Sequence, residues 1–242
     1  MAKRNKKSLS RRRSSGASLG QWLLALIVLA GVFLIFQWSS EVGQSGTLDG
    51  FWKLVGGLTG AGRTRVGIVA GHWESDSGAV CPDGLREVDI NLDVAERTAS
   101  LLRRAGYTVD LLAEFDPRLE GYQADVFLSI HADSCVPGLS GFKVARLPDS
   151  RVGDQADRLV EALYREYAAV TGLEPHLHTI TYDMREYHAF REISPQTPGA
   201  IIEIGFMGED RDVLTRRADL VARGIARGIT AYLREQEEPA GD

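Results

Sequence analysis

At 242 residues, 44% hydrophobic and 25% charged, the chain has room for one sizeable domain with a buried core and a targeting segment. Its charge is lopsided: Lys3, Arg4, Lys6, Lys7, Arg11, Arg12 and Arg13 lead the chain, no acid precedes Glu41, and beyond those seven residues 21 basic side chains face all 33 acidic ones. A main body of net charge −12 excludes nucleic acid as its partner, because phosphate binding is dominated by Lys and Arg.

The basic tail, 1–18, is followed by an apolar segment, 19–38, whose centre runs uncharged from Trp22 through Phe36 to Trp38. About 20 apolar residues suffice for a helix to cross the hydrocarbon core. The segment is therefore predicted to be a single transmembrane anchor with indole rings at its two ends, and the positive tail places the N-terminus in the cytoplasm. A cleaved signal peptide is the other reading, and under either one the main domain faces outward. Residues 39–64 are rich in Ser and Gly and read as a flexible linker. Phe51-Trp52-Lys53-Leu54-Val55 within it has two readings, incidental packing against the domain, which ranks first, and a place on the bilayer surface.

From Val66 onward, short β-type runs alternate with helical periodicity. Val66 to Ala70 reads as a buried strand. The next segment places Val88, Leu92, Ala95, Ala99 and Leu102 on one helical stripe that ends at Gly106. Strands are predicted at Thr108 to Leu112, Asp125 to Ile130 and Gly141 to Arg146. A helix capped by Ser150, with Val152, Ala156, Leu159, Leu163 and Val170 inward, stops at Gly172. The strand Ala200 to Gly205 and a helical region from Asp212 to Arg234 complete the pattern. This alternation argues for one layered α/β domain, 65–236, with a largely parallel sheet, before a short tail at 237–242.

In such domains functional groups collect at the carboxyl ends of the strands. His72 follows the first strand, His131 follows Val126 to Ile130, and Glu203 interrupts the last apolar run, where an uncompensated carboxylate is costly. A catalytic zinc site takes three protein ligands and leaves a position for water. His72, His131 and Glu87 have the donor atoms for it, and Glu203 is free to accept a proton. Each residue also has a plainer reading: a hydrogen-bonded structural histidine, or a glutamate complementing a helix N-terminus.

Four blocks in register sharpen this. Gly71-His72 with Asp76, Gly78 and Ala79; Gly84-Leu85 with Glu87, Asp89, Asn91 and Leu92; Leu128-Ser129-Ile130-His131-Ala132-Asp133; and Ile202-Glu203-Ile204-Gly205-Phe206 together resemble the zinc-dependent N-acetylmuramoyl-L-alanine amidase family, over roughly Val66 to Leu233. The resemblance implies a three-layer α/β domain with a central mixed sheet flanked by helices. It implies Zn2+ held by His72, Glu87 and His131, and Glu203 as the base. It also implies peptidoglycan as substrate, cut between the lactyl group of N-acetylmuramic acid and L-alanine. Peptidoglycan lies where the anchor would hold the domain. The competing classes are a non-catalytic wall-binding module of the same fold and another extracytoplasmic zinc peptidase.

The chain departs from the family pattern at Trp73-Glu74, where two glycines are common, at Ser77, where proline is usual, and at Asp133, where asparagine is common. Arg191, before the Glu203 strand, is a candidate for holding a substrate carboxylate or for a plain salt bridge. His176 and His178 read as loop residues, and His188 stays unassigned. Cys81 and Cys135 form a disulfide or remain two separate thiols. The stretch between His131 and Glu203 is too short for a long inhibitory helix, which points to control by expression or by a protein activator.

Overall fold

The computed structural model describes residues 64–237. The basic tail, the anchor read at 19–38, the linker up to Arg63 and the chain end after Glu237 lie outside the described residues. Among the described residues no helix is long and apolar enough to cross a membrane.

Strand β1 (Arg65–Ala70) pairs in parallel with β2 (Thr108–Leu112) on one side and β3 (Val126–Asp133) on the other. Strand β5 (Gly199–Phe206) continues the parallel set, and β4 (Lys143–Ala145) closes the edge antiparallel, in the order β2-β1-β3-β5-β4. The sheet is thus mixed and largely parallel. Its central strands are apolar on both faces because both faces are covered. Val66, Ile68, Leu128, Ile130, Ile202 and Ile204 meet helices α1 (Glu87–Arg104), α2 (Gly153–Thr171) and α6 (Ala218–Glu237). The other face, with Val69, Phe127 and Ile201, is covered by the segment holding the short helices α3 (Tyr182–Arg185) and α4 (Ala189–Glu192). Helix α5 (Arg211–Thr215) precedes α6.

Several boundaries move from the sequence reading. Strand β3 runs on to Asp133, so His131 is a strand residue and not the first residue beyond one. Helix α1 buries Ala95, Ala99 and Leu102 of the predicted stripe, but its buried face also takes in Glu87, Ile90, Asn91, Val94 and Thr98, while Val88 and Leu92 are only half-buried. The inward polar pair, one turn apart, looks into the centre described below, where it finds hydrogen-bond partners that a hydrophobic stripe cannot signal. Helix α2 begins at Gly153 after Val152, although the Ser150 hydroxyl still accepts the Val152 N–H at 3.3 Å. Tyr167 fills its interior in place of Val170 because its hydroxyl reaches the Ile204 carbonyl at 2.6 Å. The final helical region is broken at Arg216 and Arg217 into α5 and α6.

Cys81 and Cys135 are joined in a disulfide with their Cα atoms 5.6 Å apart. It ties the loop before α1 to the loop after β3 across a sequence separation of 54. Closing a loop of that length in the unfolded chain is worth about 2–4 kcal/mol. The Cys81→Ser/Cys135→Ser double variant should therefore unfold at a lower denaturant midpoint than the oxidised chain. Equal midpoints would deny the bridge any stabilising part.

Candidate metal centre

The chain leaves the end of β1 through a tight reversal. His72 and Glu74 take left-handed φ angles of 66° and 60°, costly for residues with a Cβ unless neighbours hold them. Glu114, just beyond β2, holds this turn from both sides: its Oε2 accepts the His72 N–H at 2.8 Å and its own N–H donates to the Trp73 carbonyl at 3.1 Å. Trp73 packs against the helix-side core while Glu74 is exposed. His72 is left facing Glu87 through Nε2 at 3.3 Å and Asp76 through Nδ1 at 2.7 Å.

Glu87 opens α1 and is buried. Its Oε2 accepts the Ala79 N–H at 2.9 Å, and its Oε1 takes the Asn91 side-chain amide at 3.1 Å. The same Oε1 lies 3.1 Å from His131 Nδ1. One donor atom from each of His72, Glu87 and His131 thus falls within 4.8 Å of the others. Tetrahedral zinc, with ligand bonds of about 2.0–2.2 Å, keeps ligand atoms roughly 3.3 Å apart. The two separations at Glu87 Oε1 match that spacing, and two nitrogens with one carboxylate are a donor set that zinc accepts.

Glu203 stands on β5 directly opposite His131 in the register. Its Oε2 is buried with no hydrogen-bond partner, as is His131 Nε2. On the far side, β4 sets Lys143 opposite Glu203, but the Lys143 ammonium is engaged by Asp133 and by the carbonyl and hydroxyl of Thr179. Asp133 therefore serves the lysine beside the centre.

The charges divide sharply. Burial pushes the Glu203 carboxyl up to about 7, with Glu87 and Asp133 adding to the rise and His131 and Lys143 opposing it. Burial would also raise Glu87, but hydrogen bonds from His131 and His72 outweigh it and hold that carboxyl well below the usual range. The bond to Glu87 raises His72 to about 9. Two carboxyls in nearly the same place are thus shifted in opposite directions by their surroundings, Glu87 downward by its histidine partners and Glu203 upward by burial.

The structure therefore brings His72, Glu87, His131 and Glu203 into one group. Arg191, on α4, is exposed and bonded to Glu186 at 2.6 Å and Asp149 at 3.2 Å. It lines a surface pocket of about 330 Å³ beside Phe190, Ile193 and Gly199, which none of the four grouped residues borders. His176 bonds Thr179 and meets the Phe206 ring edge-on, and His178 is exposed. Glu114 has no place in the sequence reading, and Tyr187 enters it only as the neighbour of the unassigned His188 in a polar loop before Glu203 that borders the cleft in that reading. Tyr187 donates to Glu114 at 2.9 Å and pairs with Ser129 at 3.1 Å. The position of Glu114 just after an apolar strand end was the signal available; nothing in the sequence places Tyr187 near it.

Comparison with known proteins returns one family. The Amidase_3 model, described as N-acetylmuramoyl-L-alanine amidase, matches residues 66–231. The uncharacterized protein YqiI of Bacillus subtilis is 31% identical over 175 residues, covering 65% of this chain and 81% of that protein. The N-acetylmuramoyl-L-alanine amidase AmiC of Neisseria meningitidis is 32% identical over 113 residues, which span 43% of this chain and 27% of that protein. Among solved structures, the N-acetylmuramoyl-L-alanine amidase AmiC2 of Nostoc punctiforme superposes with a TM-score of 0.54 at 27% identity, over 72% of this chain and 98% of that one.

Proposed function

Because the chain belongs to the N-acetylmuramoyl-L-alanine amidase family, we propose that it hydrolyses the amide between the lactyl group of N-acetylmuramic acid and L-alanine in peptidoglycan, with zinc held by His72, Glu87 and His131 and Glu203 as general base. The observation that carries this reading is the convergence of three zinc-type donor atoms beside a carboxyl with one buried, unpartnered oxygen. Bound zinc would supply Lewis acidity, polarising the scissile carbonyl and making water a better nucleophile near neutral pH.

The chain's own residues do the rest. Glu203 Oε2, with no hydrogen bond to give up, takes the proton of the attacking water and returns it to the leaving amine of L-alanine. Burial raises this carboxyl above the ordinary carboxylate range before metal binds, which favours its taking up a proton. Glu87 anchors the ligand set: Ala79, Asn91 and Ala132 hold its oxygens while the two histidines converge on one of them. Asn91 also donates to the Gly71 carbonyl at 3.1 Å, fixing the loop that carries His72 to the helix that carries Glu87.

We place the domain outside the cytoplasm, tethered by residues 19–38. Their length and lack of charge support this, as does the location of the substrate. Tethering keeps the domain near its substrate without a separate wall-binding module.

Full-length protein incubated with purified peptidoglycan tests the reading. About one zinc per chain and new amino termini on L-alanine are the expected results. Termini on later residues would make the enzyme a stem-peptide peptidase. Zinc without cleavage would indicate a binding module or a missing protein activator, and absence of zinc would overturn the ligand assignment.

A further inference from the structure

Each histidine of the centre turns one ring nitrogen toward Glu87 and the other toward a different carboxylate. For His72 that second partner is Asp76, 2.7 Å from Nδ1. For His131, a buried residue whose Nε2 has no hydrogen bond, the facing oxygen is Glu114 Oε2 at 3.6 Å. The same Glu114 oxygen accepts the His72 backbone N–H at 2.8 Å. One atom therefore meets the ring of one ligand and the main chain of the other.

We infer that Glu114 is the positioning residue that couples the two ligand histidines, setting the tautomer of His131 and the left-handed turn that presents His72. The inference rests on the zinc reading above and adds to it a residue outside all four sequence blocks.

Three observations support the assignment. Glu114 is buried, and both its oxygens are occupied: Oε1 takes the Tyr187 hydroxyl at 2.9 Å and lies 3.0 Å from His188 Nε2. His188 is in turn braced by Glu192 at 2.8 Å, so the carboxylate cannot swing away without breaking several bonds. The turn it stabilises holds two non-glycine residues at positive φ, a conformation that persists only when surroundings dictate it. A histidine that offers Nδ1 to a metal keeps its proton on Nε2, and a carboxylate facing that proton orients the ring and makes the other nitrogen a better ligand. Closing the 3.6 Å separation to a hydrogen bond requires a shift of roughly half an ångström.

The test compares wild type with Glu114→Gln by zinc affinity in competition with a chelator, by ring nitrogen–proton correlation spectra of His131, and by melting temperature. The glutamine keeps the acceptor for the His72 N–H but lacks the charge that holds the imidazole proton. Zinc should bind 10–100-fold more weakly to the variant, and its His131 ring signals should move while it stays folded. Wild-type affinity in the variant would overturn the inference, and so would a lower melting temperature with affinity and ring signals unchanged. Should the variant not fold, the zinc-loaded wild type decides: a free Nδ1 and a metal-bound Nε2 on His131 would refute the assignment, and the reverse would support it. Wild type that takes up no zinc would remove the proposed function first and this inference with it.

Discussion

Replacement of Glu203 by glutamine should lower turnover on peptidoglycan by about 10²–10⁴-fold, the range general acid–base catalysis contributes, while zinc content stays at the wild-type level. The side chain makes no hydrogen bond through Oε2 and stands beside the ligands without joining them, so an isosteric amide leaves His72, Glu87 and His131 where they are. What disappears is the capacity to take a proton. The base form of Glu203 is the carboxylate, so activity should rise with pH across its titration. Burial sets that titration at about 7 before any metal is bound, and a nearby cation favours the carboxylate, so the acid limb of the wild-type pH–rate profile should fall at or below 7.

A stability effect of opposite sign accompanies this. A carboxyl whose folded pKa is raised favours the fold below its unfolded pKa of about 4.3, and that contribution is lost as pH rises through about 7. Metal-free Glu203→Gln protein should therefore melt above metal-free wild type at pH 8 and lose the difference at pH 4. An active variant retaining the acid limb would remove Glu203 from proton transfer.

Gly71→Ala should abolish tight zinc binding although no ligand is changed. A Cβ at residue 71 would overlap the His131 ring, and Gly71 itself is fixed by its N–H to the Ile130 carbonyl and by Asn91 on its own carbonyl. The backbone cannot retreat, so the imidazole must, which breaks its alignment with Glu87 Oε1. Loss of a supporting partner alone costs 10–100-fold in metal affinity; displacing the ligand ring should cost more. Fold stability should suffer less than metal binding because the sheet registers of β1 and β3 end at Ala70 and Ile130, before the clash. Chelator competition measures the first effect and thermal melting of the metal-free protein the second. A Gly71→Ala protein holding zinc as tightly as wild type would show that the loop yields where the structure says it is pinned.

Glu87 illustrates how sequence and structure share the information. Its identity as a candidate ligand comes from donor chemistry and from the block around it, while the apolar stripe through Val88, Leu92, Ala95, Ala99 and Leu102 captures only part of the buried face: its last three residues are buried and its first two half-buried. That face extends to Glu87 and Asn91 because both are satisfied there by hydrogen bonds, and a hydrophobicity pattern is blind to that compensation. Glu114 lay hidden for a related reason: its partners are the backbone of His72, the ring edge of His131 and two side chains over seventy residues later.

By itself the sequence determined the α/β class with its largely parallel sheet and the family to which the chain belongs. These depend on local periodicity and on short blocks of contiguous residues, in which strand and helix leave period-two and 3.6 signatures. The tertiary structure alone decided which nitrogen of each histidine meets Glu87, that Asp133 serves Lys143, that Cys81 meets Cys135 and that Arg191 bonds Asp149 and Glu186 away from the centre. Those facts depend on distances between residues far apart in the chain. Such distances are fixed by sheet register and by hydrogen bonds that buried polar groups must find, and neither is written in any short stretch of sequence.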